Sequence, residues 1–304
     1  MSKTAQEQMP PPASTTLARP GDFVVRSNLR GGLAVLRDWS LVSAIAGLAI
    51  LADSWWASVA ALLLIGRVQF AIGESLLHEA SHHSLFRTRA WNDRLQPLYA
   101  WPFFVTLGAW RHEHLLHHRV LGTDHDHVVK TYLEAGLLDA TPRTRWAWFG
   151  RPLVGAVAVS YVRSIVAMNR RRDGWVLAAF WAAVVGVFTW AGHPTWPLLY
   201  WVAPQLIVFA PMLYWSEIAD HYRTRGGHRT RTGTLSNWLD HHNGFHEVHH
   251  RWMSIPFHQL AAAHDALVGT SEDQASSAWQ VWRQISRAEE TPPEAWPRFW
   301  PRAR

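Results

Sequence analysis

The chain has 304 residues, is 48% hydrophobic and 17% charged, carries a net charge of +6 and contains no cysteine. The missing cysteine excludes disulfides, thiolate zinc sites and cysteine-ligated iron–sulfur clusters within it. Its positive charge is nearly all arginine, grouped beside apolar stretches as at Arg170-Arg171-Arg172, a pattern that suits an anionic membrane surface rather than nucleic acid.

In chain order, residues 1–30 read as a disordered leader rich in Pro and Ser, as in Pro10-Pro11-Pro12. It has no apolar core of the kind a secretory signal needs. Two apolar hairpins follow. The first runs over Leu33–Ala52 and Trp55–Ile72 with a break at Asp53-Ser54, and the second over Gly174–Ala191 and Trp196–Trp215 with a break at Gly192–Thr195. Each arm is close to the ~20 residues that cross a bilayer as helix, although Arg37, Asp38 and Arg67 intrude. Gln96–Trp110 and Pro152–Met168 are further apolar segments, expected as interfacial helices. The 20 tryptophans agree with a membrane interface. The two breaks hold no Lys or Arg, whereas the opposite ends hold Arg19, Arg26, Arg30, Arg87, Arg89, Arg94, Arg143, Arg145 and Arg151. The positive-inside rule then puts both termini and the segments between hairpins in the cytoplasm.

The expected fold is therefore an all-α integral membrane protein of the inner, cytoplasmic membrane. Four transmembrane helices in two hairpins (about 33–52, 55–72, 174–191 and 196–215) carry a cytosolic helical cap (78–173 and 217–265). This domain covers 31–270, and 271–304 form a cytosolic tail.

Three histidine runs lie on that predicted side: His78-Glu79-Ala80-Ser81-His82-His83, His114-Leu115-Leu116-His117-His118 and His246-Glu247-Val248-His249-His250. On a helix, positions i, i+3 and i+4 share one face, so each run aims two or three imidazoles at one point. Together they offer eight or nine nitrogen donors, too many for one small ion and suited to a pair of transition metals. A rival reading rests on His78-Glu79-Ala80-Ser81-His82, which matches the His-Glu-x-x-His of zinc hydrolases. That reading leaves the other two runs without a role.

The runs and their surroundings resemble the three histidine boxes of the membrane-bound fatty acid desaturase/hydroxylase superfamily. The first box continues into Ser84-Leu85-Phe86 with Asn92 downstream. The second is followed by Asp124 and Asp126. The third is preceded by Asn237-Trp238 and His242-Asn243, and followed by Ile255-Pro256-Phe257. The chain departs from the family pattern at Asp126-His127-Val128, at Phe245-His246-Glu247-Val248 and at Arg251–Ser254, positions that bear on substrate and regiochemistry.

The resemblance implies a non-haem di-iron centre whose ligands map onto His78, His82, His114, His117, His118, His246, His249 and His250. A ninth is His221, at the end of the fourth span. His83 stands where relatives often have glycine and is expected behind the ligands. Glu79, Asp124, Asp126, Glu217 and Asn243 are expected to support the ligand rings from behind, as outer carboxylates and amides do. The implied reaction is O2-dependent removal of two hydrogens from an unactivated CH2–CH2 unit of a fatty acyl chain. A hydroxylase or ketolase on the same scaffold, acting on an alkane, carotenoid or specialised metabolite, is the alternative. No dinucleotide fingerprint is present, so electrons must come from an external carrier such as a ferredoxin or a cytochrome b5-like protein, docked on the arginine-rich face.

Overall fold

The computed structural model describes residues 18–139, 141–271 and 273–287. Most of the predicted leader and residues 288–304 of the predicted tail lie outside these. The described chain is helical, with one two-residue pair of parallel strands.

Four helices are long and apolar enough to cross a membrane: α1 (Asn28–Ala52), α2 (Trp55–Ser81), then Arg172–Trp190 and Leu198–His221. Helix α1 begins five residues before the apolar run because Ser27 caps it, its hydroxyl accepting from the Arg30 amide at 3.3 Å. Its Asp53 end adopts a left-handed turn, φ 42°, and α2 starts at once and packs back along α1. Exposed apolar side chains such as Leu48, Leu51 and Trp190 line the outer faces, a surface that hydrocarbon would cover.

Helix α2 outruns its apolar stretch. From Ala71 to Leu76 it widens into a π-turn, a device that re-aims side chains within a helix. It then continues to Ser81 with Glu74, Ser75, His78 and Glu79 all buried. Tertiary contacts, not hydrophobicity, carry the last turns.

Gln96–Trp110 is not one helix. Pro97 and Pro102 open two short 3-10 turns, Gln96–Leu98 and Trp101–Phe103, because proline cannot continue an α-helix from within. After short α3 (Arg89–Arg94) and these turns, α4 (Leu107–Val120) starts behind its Thr106 cap. Helix α5 (His127–Ala135) starts behind Asp126, whose side chain accepts from the Val128 amide at 3.1 Å. Pro152–Met168 is broken too: α6 (Trp146–Leu153) and α7 (Ala156–Met168) meet at 83°. Gly155 supplies the bend with φ 73°, a conformation that suits glycine.

The third and fourth long helices are α8 (Arg172–Trp190) and α9 (Leu198–His221). Beyond them come β1 (Thr230–Arg231), α10 (Thr234–Leu239), α11 (His246–Arg251), α12 (Leu260–Leu267), β2 (Gln274–Ala275) and α13 (Ala278–Arg287). Strand β2 pairs in parallel with β1, Thr230 opposite Gln274, and α13 buries Val281 and Ile285. The first part of the predicted tail is thus docked on the body.

The charges inside the apolar runs have a common purpose. Arg67 on α2 donates twice to the Asp240 carboxylate, at 2.6 and 3.0 Å. Arg37 on α1 donates to the carbonyls of Trp238 and Leu239, and Asp38 lies 2.8 Å from His241. All of these partners precede the third histidine run, so the long helices grip the segment that presents it.

Candidate metal centre

Four helices bring the rings together. Helix α2 contributes His78 and, just past its end, His82; α4 contributes His114, His117 and His118; α9 ends on His221; α11 carries His246, His249 and His250.

The donor atoms fall into two adjoining groups. In the first, Nε2 of His78 is 2.6 Å from that of His249, His82 is 2.8 Å from His114, and His118 is 3.0 Å from His114 and 3.1 Å from His249. In the second, Nε2 of His221 is 3.1 Å from His117 and 3.0 Å from His246, and His250 has a nitrogen within 4.8 Å of both His117 and His221. The His118 and His250 rings stack at 4.1 Å where the groups meet.

These spacings fit metal. Imidazole nitrogens at about 2.1 Å from an ion and at right angles to each other stand about 3 Å apart. Four of the rings are also held in the right charge state. Burial, together with the neighbouring imidazoles, pushes His114, His249 and His250 down from the usual histidine range and His118 down to about 2. They remain neutral, with lone pairs free, at any physiological pH.

Outer contacts set the tautomers. Nδ1 of His117 is 2.9 Å from Asp126, and Nδ1 of His221 is 2.8 Å from the Gly227 carbonyl, which leaves each Nε2 facing the centre. Glu74, four residues before His78, lies 3.6 Å from its Nδ1. Burial alone would raise the Asp126 carboxyl, but the His117 hydrogen bond and charge outweigh it and hold it below the usual carboxylate range.

The other residues expected behind the ligands are placed differently. Asp124 is an exposed turn residue, 3.7 Å from the equally exposed His125; the turn into α5 carries it outward. The Glu79 carboxylate accepts from the Phe257 amide at 3.0 Å and so clamps the chain after the third run, rather than a ring nitrogen. Glu217 lies 3.6 Å from His127, not from a clustered ring. His83, just past the end of α2, has φ 55° and turns toward Asp93, 3.7 Å away. Asn243 sits in the turn before α11 and makes no side-chain hydrogen bond to a clustered ring among the described residues.

Sequence reasoning passed over Glu74 and His228. Glu74 carried a signal: an acid in an apolar run, one helical turn before a histidine. His228, whose ring is 4.4 Å from His250, carried none, because a lone histidine in a loop has no period.

His78, His114, His117, His221 and His246 line a cavity of about 310 Å³, together with Glu74, Trp110, Lys130, Met168 and Glu217. Trp110, His127, Ser164, Met168 and Glu217 border it and a second, mainly apolar arm of about 130 Å³ that includes Leu77, Phe103, Tyr161 and Phe209.

Residues 53–282 match the family model described as Fatty acid desaturase. The chain belongs to the fatty acid desaturase family. The match spans all three histidine runs, α9 and the docked start of α13. This desaturase-family chain is also similar to the dihydrorhizobitoxine desaturase of Bradyrhizobium elkanii, at 27% identity over 267 residues, covering 78% of the chain and 74% of that protein. Family membership makes it an oxidoreductase, and its four long apolar helices and metal-competent histidine cluster agree with that assignment. The zinc hydrolase alternative finds no support: His78 and His82 are two of nine assembled imidazoles, and Glu79 is engaged elsewhere.

Proposed function

We propose that the protein is an O2-dependent, non-haem di-iron desaturase of the inner membrane that removes two hydrogens from a CH2–CH2 unit of an acyl-type chain. The observation that carries this reading is the meeting of nine imidazoles in two adjoining groups, members of both lining a cavity with an apolar arm. The first group (His78, His82, His114, His118, His249) and the second (His117, His221, His246, His250) would each hold one iron. Bound there, the irons would supply the O2-derived oxidant that an unactivated C–H bond demands.

The chain's own part is placement. The apolar arm holds one end of the substrate so that a chosen pair of carbons rests beside the rings, turning an encounter into a positioned reaction. Trp110 and Met168 shield the junction of cavity and arm from water. Asp126 and the Gly227 carbonyl keep the rings of His117 and His221 from rotating. Electrons would arrive from a ferredoxin or cytochrome b5-like carrier at the arginine-rich cytoplasmic face.

The reading is tested by metal analysis and product mass. It requires about two Fe per chain and a product lighter than substrate by two hydrogens. Gain of one oxygen would instead assign a hydroxylase, and zinc in place of iron would reject both.

A further inference from the structure

We propose that the 96–106 segment and α7 lie at the depth of the membrane's hydrocarbon, so that α7 is the wall between the cytoplasmic leaflet and the apolar arm, and the acyl chain passes sideways from that leaflet into the arm. The route of entry rests on the desaturase reading; the depth of the two segments does not.

The 96–106 segment has irregular backbone, and one tryptophan from each of three long helices bonds to it. The indoles of Trp39 on α1, Trp181 on α8 and Trp201 on α9 donate to the carbonyls of Leu98, Trp101 and Pro102, at 2.9, 3.3 and 2.7 Å. Trp181 stands halfway along α8, and Trp201 is twenty residues before the metal-centre end of α9 at His221. Tyr99, Ala100 and Phe103 are buried. At a wet surface, water would satisfy those carbonyls. Hydrocarbon offers no hydrogen bonds, and irregular backbone persists at that depth only where protein supplies them.

Helix α7 is fixed beside the same stretch of α9. The Tyr161 hydroxyl lies 2.6 Å from the Gln205 side-chain amide, and its ring meets Phe209 edge-on at 5.6 Å, sixteen and twelve residues before His221. Just past α7, Asn169 donates to the Phe104 carbonyl at 2.7 Å. The two faces of α7 differ in what they meet. Val157, Tyr161, Ser164, Ile165 and Met168 line the arm. Val159, Val162 and Val166, on the opposite face, are exposed, as Leu48 is on the outer face of α1. Soluble surfaces seldom present such a stripe. The α6–α7 pair is apolar enough to enter a membrane and bends by 83° at its break, the form of a segment that dips into one leaflet without crossing. Arg163 shares the outer face of α7, and its stem is long enough to carry the charge to the phosphates. Arg170 and Arg172, exposed just past the helix, suit the same anionic headgroups. Apolar side chains with arginines at their edge are what a leaflet covers.

The chain has no cysteine, so one introduced thiol carries one dye. The full-length protein, labelled at Val162→Cys or Val166→Cys, is placed in nanodiscs of phosphatidylcholine with brominated acyl chains. Leu48→Cys is the control for a lipid-facing position and His125→Cys, on an exposed turn, for a wet one. Both α7 labels should be quenched by bromine to the same extent as the label at Leu48→Cys, and spared by aqueous iodide. Quenching by iodide and not by bromine would put α7 in water. Quenching by neither would put it under another protein chain. Either result overturns the proposal.

Entry is read with stearate carrying a mid-chain diazirine, dissolved in unbrominated nanodiscs and photolysed. Cross-links are expected on Ile165, Met168 and Leu213 of the arm. Their yield should follow the mole fraction of the fatty acid in lipid and stay constant when the suspension is diluted with buffer. A yield that falls on dilution, or no cross-link in the arm, would overturn the route. Product mass from cells fed stearate separates the route from the reaction. Gain of one oxygen would sink the desaturase reading and leave the route standing, whereas loss of two hydrogens without a cross-link in the arm would sink the route alone.

Discussion

The Nδ1 atom of His117 and the Oδ1 atom of Asp126 lie 2.9 Å apart, and the same carboxylate accepts from the amides of Val128 and Gly122. One side chain therefore starts α5, closes the turn after α4 and orients a ring of the metal centre.

Asp126→Asn separates these tasks, because asparagine caps helices about as well as aspartate. The helix should survive while the charge facing His117 is lost. Metal affinity is expected to fall about 10- to 100-fold, with helical circular dichroism unchanged. Undiminished iron retention during dialysis against a chelator would remove Asp126 from the site.

His117→Ala and His249→Ala each delete one donor, from different groups. Both variants should appear in the membrane fraction at near wild-type abundance and make no product. Turnover by either variant in whole cells, read by mass spectrometry, would contradict the assignment of that residue.

His83→Gly should be tolerated. Its φ of 55° is strained for a side-chain-bearing residue and free for glycine, a difference on the order of 1 kcal/mol. Iron content is expected to be unchanged and the melting temperature equal or slightly higher. Loss of iron would place His83 among the ligands.

Arg67→Met leaves Asp240 buried without its guanidinium, a situation that costs about 3–5 kcal/mol. Adding Asp240→Asn should recover part of the loss. Denaturation of the single and double variants checks this: a double variant no more stable than Arg67→Met would show that the pair does not act as a unit.

Acid should loosen the metal-free protein through histidines that burial keeps neutral. Burial pushes His228 and His258 down from 6.5 to about 4. Their folded-state values are depressed, so the associated stability is complete above pH 6.5. It is lost as pH falls toward 4, because the unfolded chain takes up protons that the folded one refuses. The melting temperature should drop between pH 7 and pH 5, and His228→Gln with His258→Gln should flatten that slope.

Much of this protein can be read along the chain. Four long apolar runs announce helices of bilayer length, since every residue in such a run faces hydrocarbon or core. The i, i+3, i+4 spacing in the second and third histidine runs places their rings on one helical face, whatever that face meets. Tertiary structure decided the rest. It carried α2 nine residues past its apolar run, because buried partners rather than hydrophobicity support Glu74 and His78. It gave Arg37, Asp38 and Arg67 their meaning as grips on the 238–241 segment, which no local pattern encodes. It sent Asp124 outward and Asp126 inward, two residues apart, because a turn rather than a helix or strand separates them and a turn has no period to extrapolate. Spacing along a helix shows which rings can share a point; only the packing of separate helices determines that they do.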